Sequence, residues 1–315
     1  MDALPSYDEL PITPGAPAGS SWGLWGEDDR FGCLNLLTPE RAAAAAKLVT
    51  KGAVFALNLE YELPDPPLFG RQAPKHDVLG EGGHDDVLTF NTQSSSQWDG
   101  FRHVQHPVHH HYNGVADADH GMQHWAARGL AGRAVLVDVA RHVEVDASSS
   151  QGITPDDLDA TLQAQGVEIE PGDVLLLRTG WVAWYRSADE ETRNALPGQL
   201  KAPGLRPGDD LLRWLWDHHI AAVGADNPAL EIGPPGSHLT QEQRDEVRTD
   251  ISKIPNVFMH TALLPLLGIP IGELWDLDPL AADCAADGRY VGLFTSAPLR
   301  VQGGVASPPN AVVLK

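Results

Sequence analysis

The chain is short of positive charge. Its 315 residues carry 22 Lys and Arg against 43 Asp and Glu, giving a formal charge of -21 and a pI near 4.9. Binding to nucleic acid or to an anionic membrane surface needs concentrated Lys and Arg, so both function classes are excluded as expectations. Long apolar runs are missing too, and none approaches the ~18 residues of a spanning helix. The only cysteines, Cys33 and Cys284, are too few for a disulfide framework and show no CxxC spacing. They read as small buried residues and fit a reducing compartment. The N-terminal stretch has neither a basic region nor an apolar core of the secretory kind. A soluble, cytoplasmic protein is the expectation. GxGxxG, P-loop and GxSxG motifs and internal repeats are also absent, which removes the corresponding nucleotide and serine-hydrolase readings.

What is present is enough chain for one large domain or two small ones, at an ordinary 42% hydrophobic content. Residues 1–21 are rich in Pro, Gly, Ser and Ala, and predict an irregular arm lying on the molecule or on a partner subunit. Residues 22–315 form the body of the chain. Thr38-Pro39-Glu40 opens a predicted helix that runs to Gly52, and Val54–Leu59 follows as a strand. Residues 62–86 predict a long loop, and Val87–Asn91 a strand. Further on, Ala134–Val139, Val174–Trp181 and Ile220–Asn227 are apolar runs of strand length. They are separated by helices over 155–165 and 211–219. Strand, helix, strand in this order predicts an α/β fold. Asp226 and Asn227 close a strand, where open α/β sheets gather ligand contacts.

The chemistry is concentrated between Gln93 and His103. Gln93, Gln97, Asp99 and His103 have equal parity, so in an extended strand they share one face. Asp99 and His103 then read as half of a metal or general-base site. Two more polar residues stand in strongly apolar surroundings, His260 and Glu273. A buried, unpaired carboxylate costs several kcal/mol, so Glu273 requires a cation or a strong hydrogen-bonding partner. Asp99, His103, His260 and Glu273 together make a plausible ligand set for a divalent ion. His106, His109, His110 and His111 form an imidazole cluster that cannot all face one site. Trp22, Trp25 and Trp98 are either packing residues or flat walls for an aromatic substrate.

These residues resemble the signature of the cyclase family of metal-dependent hydrolases, which includes bacterial kynurenine formamidase and isatin hydrolase. The signature H-x-G-T-H-x-D-x-P-x-H falls on Gln93, Ser95, Ser96, Gln97, Asp99, Phe101 and His103. The likeness continues through GCLNLLTPER, ITPDDLDATLQAQGVEIEPGDVLLLRTGW, AAVGADN and LAADCAADGRYVGLFTSAPLRVQGGVASPPN. It covers most of the chain from Trp22 onward and is similar to a longer branch with the pattern G-T-Q-W-D-x-x-x-H. The resemblance implies a swivelling β/β/α fold, an α/β architecture around a central mixed, barrel-like sheet, with residues 22–315 as a single catalytic domain.

Two first-site ligands of the family pattern are replaced by Gln93 and Gln97, and an amide oxygen is a weak, neutral ligand. The second set, Asp99, His103, His260 and Glu273, is complete. The resemblance therefore implies one divalent ion per subunit, Zn or Mn. It implies hydrolysis of an amide, lactam, lactone or ester of a small cyclic or aromatic substrate. Glu273, Asp99 and His103 would move protons, while Gln93 and Gln97 would donate to an oxyanion. Polyketide-type ring closure with loss of water, or a catalytically silent binding homologue, are the alternatives. A homodimer or homotetramer is expected.

Overall fold

The computed structural model describes residues 4–315. In chain order the strands are β1 (Val54–Ala56), β2 (Lys75–Leu79), β3 (Asp85–Thr89), β4 (Gln97–Asp99), β5 (Leu130–Asp138), β6 (Gly152–Ile153) and β7 (Val174–Arg178). They continue as β8 (Gly204–Leu205), β9 (Ala222–Ala225), β10 (Ile271–Glu273), β11 (Val291–Ser296), β12 (Ala306–Ser307) and β13 (Ala311–Leu314). Nine of them form one sheet in the order β1-β13-β11-β5-β7-β9-β10-β4-β12. Its centre, β5-β7-β9-β10, is parallel. Antiparallel strands flank it, β11, β13 and β1 on one side and β4 and β12 on the other. This mixed sheet curls into a half-barrel, the α/β architecture expected of a swivelling β/β/α fold. The parallel strands are covered on both faces, so Ala134–Val137, Val174–Leu177 and Ala222–Ala225 are continuously buried and show no alternation.

The helices follow their capping chemistry. Helix Pro155–Gln165 has a Thr154/Asp157 capping box and ends on Gly166 at φ 65°. Helix Pro39–Ala46 starts where expected, with Thr38 Oγ1 accepting from Arg41 N at 3.3 Å, but stops before Gly52. Its β-branched continuation through Val49 and Thr50 turns away, and the Lys51 and Ala53 amides bond the Lys315 carbonyl. The run Val174–Trp181 also divides. β7 ends at Arg178, and Gly180 at φ 85° opens helix Trp181–Ser187. β1 ends at Ala56, leaving Asn58 a single bridge to Trp275.

The expected loop 62–86 contains a hairpin, β2 paired with β3 from Lys75↔Thr89 to Leu79↔Asp85. All ten of its residues are exposed, so no buried face exists to write an alternating pattern. The described part of the N-terminal arm lies on its own chain. Trp216 Nε1 donates to Pro5 O at 2.9 Å and Tyr7 N to Asp217 Oδ1 at 2.7 Å, against helix Asp209–Asp217. Residues 1–3 of that arm lie outside the described residues. Cys33 and Cys284 are buried and free. Among the described residues no helix is long and apolar enough to cross a membrane.

Candidate metal centre

β4 and β10 build the site between them. Their antiparallel register sets Gln97 opposite Glu273 and Asp99 opposite Ile271. Asp99 and Glu273 are therefore diagonal neighbours on one face, within reach of each other. The same parity sends Trp98 to the other face. There its indole is fully buried, 4.7 Å from the Trp275 ring and near Trp125 and Phe294. Trp98 is thus a core residue, the packing alternative of its two readings.

Two glycines let the strands close over Trp275. A Cβ on Gly272 would meet the Trp275 ring at 2.3 Å, and one on Gly224 at 2.6 Å. Trp275 Nε1 in turn donates to Gln97 O at 3.0 Å. Just after Glu273, Leu274 is left-handed at φ 56°, a costly conformation for a branched residue. It is held by Leu274 N donating to Asn227 O at 3.0 Å and by the Ser96 hydroxyl donating to Leu274 O. Ser96 also accepts from Leu59 N at 2.8 Å. These contacts fix the direction of Glu273 and the start of β4.

His260 arrives from a short helix, His260–Ala262. Its Nε2 lies 3.0 Å from Glu273 Oε1 and 3.9 Å from Asp99 Oδ2. Phe258 stacks on the imidazole at 4.3 Å. Glu231 lies behind it, with Oε1 2.5 Å from His260 Nδ1 and accepting from His260 N at 2.8 Å, and Oε2 accepting from Met259 N at 2.7 Å. Asp99, His260 and Glu273, all buried, each offer a ligand atom within 4.8 Å of the others. His103 stands beside this triad, with Nε2 3.9 Å from Asp99 Oδ2 and a quarter of its side chain exposed.

The two glutamines serve the acids. Gln93 Nε2 donates to Asp99 Oδ1 at 2.6 Å and faces His103 Nδ1 at 3.0 Å; Gln97 Nε2 donates to Glu273 Oε2 at 2.6 Å. Asp99 can only accept, so the Gln93 nitrogen belongs where it is, and its second hydrogen points to His103 Nδ1. His103 then carries its own hydrogen on Nε2. Both Gln93 hydrogens are engaged within this network.

Burial pushes the His103 pKa down, against the opposing pull of the Asp99 charge. For Glu273, burial and then the Asp99 charge raise the pKa, with His260 opposing. Burial alone would lower His260, but hydrogen bonds to Glu231 and Glu273 and their charges raise it to about 10.

The remaining expected residues have contacts of their own. Trp22 donates from Nε1 to Pro265 O at 2.7 Å, and it and Trp25 are half-buried against the main core. His106 and His110 close a tight turn by mutual backbone bonds, and the metal-competent group includes none of the four clustered histidines. Asp226 accepts from Thr179 N, Thr179 Oγ1 and Gly180 N at 2.7 to 2.8 Å, a structural cap. Two residues were not anticipated. Glu231 had a signal, a lone acid in the run Ala229-Leu230-Glu231-Ile232, the same sign that marked Glu273. Arg71 had none. It comes from the irregular segment after Pro67 and donates from Nη1 to Gln93 O.

With this geometry in view, the family model for Cyclase matches residues 31–232. A novel cyclase of known crystal structure is 31% identical, with 99% of this chain and 100% of that one covered and a TM-score of 0.81. Isatin hydrolase A from Ralstonia solanacearum is 17% identical, covering 88% and 98% of the two chains at a TM-score of 0.59. Isatin hydrolase A from Labrenzia aggregata is 14% identical, covering 89% and 97% at 0.56. No curated protein sequence matches the chain. The protein belongs to the cyclase family, and its fold is that of the isatin hydrolases.

Proposed function

We propose that the chain is a metal-dependent hydrolase of small cyclic or aromatic amides, lactams, lactones or esters, in one catalytic domain spanning residues 22–315. The carrying observation is the convergence of Asp99, His260 and Glu273 around an Asp99 Oδ2 that is buried without any hydrogen-bond partner. Ligand atoms around a tetrahedral zinc sit ~3.4 Å apart, given bond lengths near 2.1 Å. The separations of 3.0 and 3.9 Å from His260 Nε2 bracket that value, so the residues fit a divalent ion. Such an ion, Zn or Mn, supplies Lewis acidity toward a carbonyl and toward water.

The chain's own residues supply the rest. Glu273 is the carboxylate placed to take and return a proton. Gln97 and Gln93 hold the two acids in register. His103, with its hydrogen on Nε2, stands at the exposed edge of the cluster, placed to donate a hydrogen bond to a substrate oxygen while Glu273 returns the proton to the leaving group. The hydrolase names borne by proteins of the same fold support this reading, and the substrate class follows from it only as a class.

Metal analysis with a substrate screen tests the proposal. Purified protein should carry about one equivalent of Zn or Mn per chain, lost in an Asp99→Ala, His260→Ala double variant along with turnover of aryl esters, lactones or N-formyl anilines. A metal-free wild type that still turns these over would sink it.

A further inference from the structure

Glu231 touches neither the open edge of the cluster nor the other acids, and reaches the site only through His260. Resting on the metal reading above, we propose that Glu231 is the positioning residue that fixes His260 as a metal ligand. Its carboxylate is 2% exposed and holds three donors: Met259 N, His260 N and His260 Nδ1, at 2.7, 2.8 and 2.5 Å. Two of these are backbone groups, which pin both carboxylate oxygens so that neither can swing away from the imidazole. A carboxylate only accepts, so the hydrogen it faces sits on Nδ1. Nε2 is then the nitrogen left to ligate, and it is the one directed at Asp99 and Glu273. Phe258, nearly parallel to the ring at 9°, restrains its plane. The pairing of a ligand histidine with a carboxylate fixes tautomer and orientation and strengthens the imidazole as a donor to metal.

The same carboxylate also closes a long excursion of chain, since Met259 lies 28 residues beyond Glu231. The test must separate positioning from closure. Zinc affinity of the full-length, chelator-treated chain is measured by competition with a chromophoric chelator for wild type, E231Q and E231A, with E246Q on an exposed helix as control. The expected result is a Kd weakened ~10–100-fold in E231Q, more in E231A, and unchanged in the control. If both Glu231 variants lower the melting temperatures of the zinc-free and zinc-loaded chain equally while Kd stays at the wild-type value, Glu231 only closes the excursion and the proposal falls.

A second measurement needs no Glu231 variant. In zinc-loaded wild type labelled with 15N-histidine, His260, assigned by its loss in H260N, should show a slowly exchanging proton on Nδ1. A proton on Nε2 instead overturns the proposal. Absence of any zinc binding by wild type overturns the metal reading itself, and the wild-type titration alone distinguishes that case.

Discussion

At the scale of single residues, the site is a balance of negative charge held together by protons. Glu231, Glu273 and Asp99 surround one imidazole, and without a metal His260 is the group best placed to carry positive charge. Its folded pKa, near 10, exceeds the ordinary 6.5, so its contribution to stability is complete below about pH 6.5 and is lost as pH rises through about 10. Glu273, raised by burial and by Asp99, acts in the same direction, its contribution disappearing as pH rises above the ordinary carboxylate range. Chelator-treated protein should therefore lose denaturant resistance between pH 6.5 and 10, while its affinity for zinc rises over the same range because His260 must shed a proton to ligate. Denaturation midpoints across this range check the sign. The decline should flatten in H260N, and midpoints that climb with pH in the wild type would contradict it.

At the scale of elements, the geometry depends on β4 and β10 meeting over Trp275. In Gly272→Ala the new methyl would enter the indole, 2.3 Å from its nearest atom. Overpacking of this kind costs about 1–3 kcal/mol, and here it also displaces the strand that carries Glu273. Urea denaturation should show a lower midpoint, with metal affinity falling as well; a variant with the wild-type midpoint would show that the strands have room to separate.

Much of this framework is legible in the sequence. The buried parallel strands announce themselves as apolar runs, the capped helix over 155–165 by Thr154 and Gly166, and the two halves of the site by polar residues of equal parity or in apolar surroundings. Parity was equally informative for Trp98, one residue from Asp99 and so on the opposite face. Features set by long-range placement leave no such trace. The β2–β3 hairpin buries nothing, and Arg71 reaches Gln93 from a segment without periodicity. The commitment of both Gln93 hydrogens depends on where Asp99 and His103 end up in space.

At the scale of the whole molecule, charge and exposed apolar surface act against each other. A formal charge of -21 opposes self-association. Yet the hairpin exposes Val78 and Leu88 on one face and Leu79 and Val87 on the other, each 47 to 62% accessible. A two-stranded hairpin is marginal alone in water, so we propose that a second copy of the chain covers it. Light scattering should give a mass of at least two 33.9 kDa chains, stabilised by salt as repulsion is screened. Val78→Asp with Leu88→Asp should release the monomer, and a monomeric wild type would refute the idea.

The Glu231 carboxylate has one more effect at this scale. By tying residues 231, 259 and 260 together, it brings the two ends of the chain between them to one place, next to the point where Ile232 and Gly233 bond Leu205 and Ala202. Doubling the length of such a closed loop costs only ~0.6 kcal/mol of closure entropy. Beyond Gly233 the segment can thus change length at small entropic cost while His260 keeps its place.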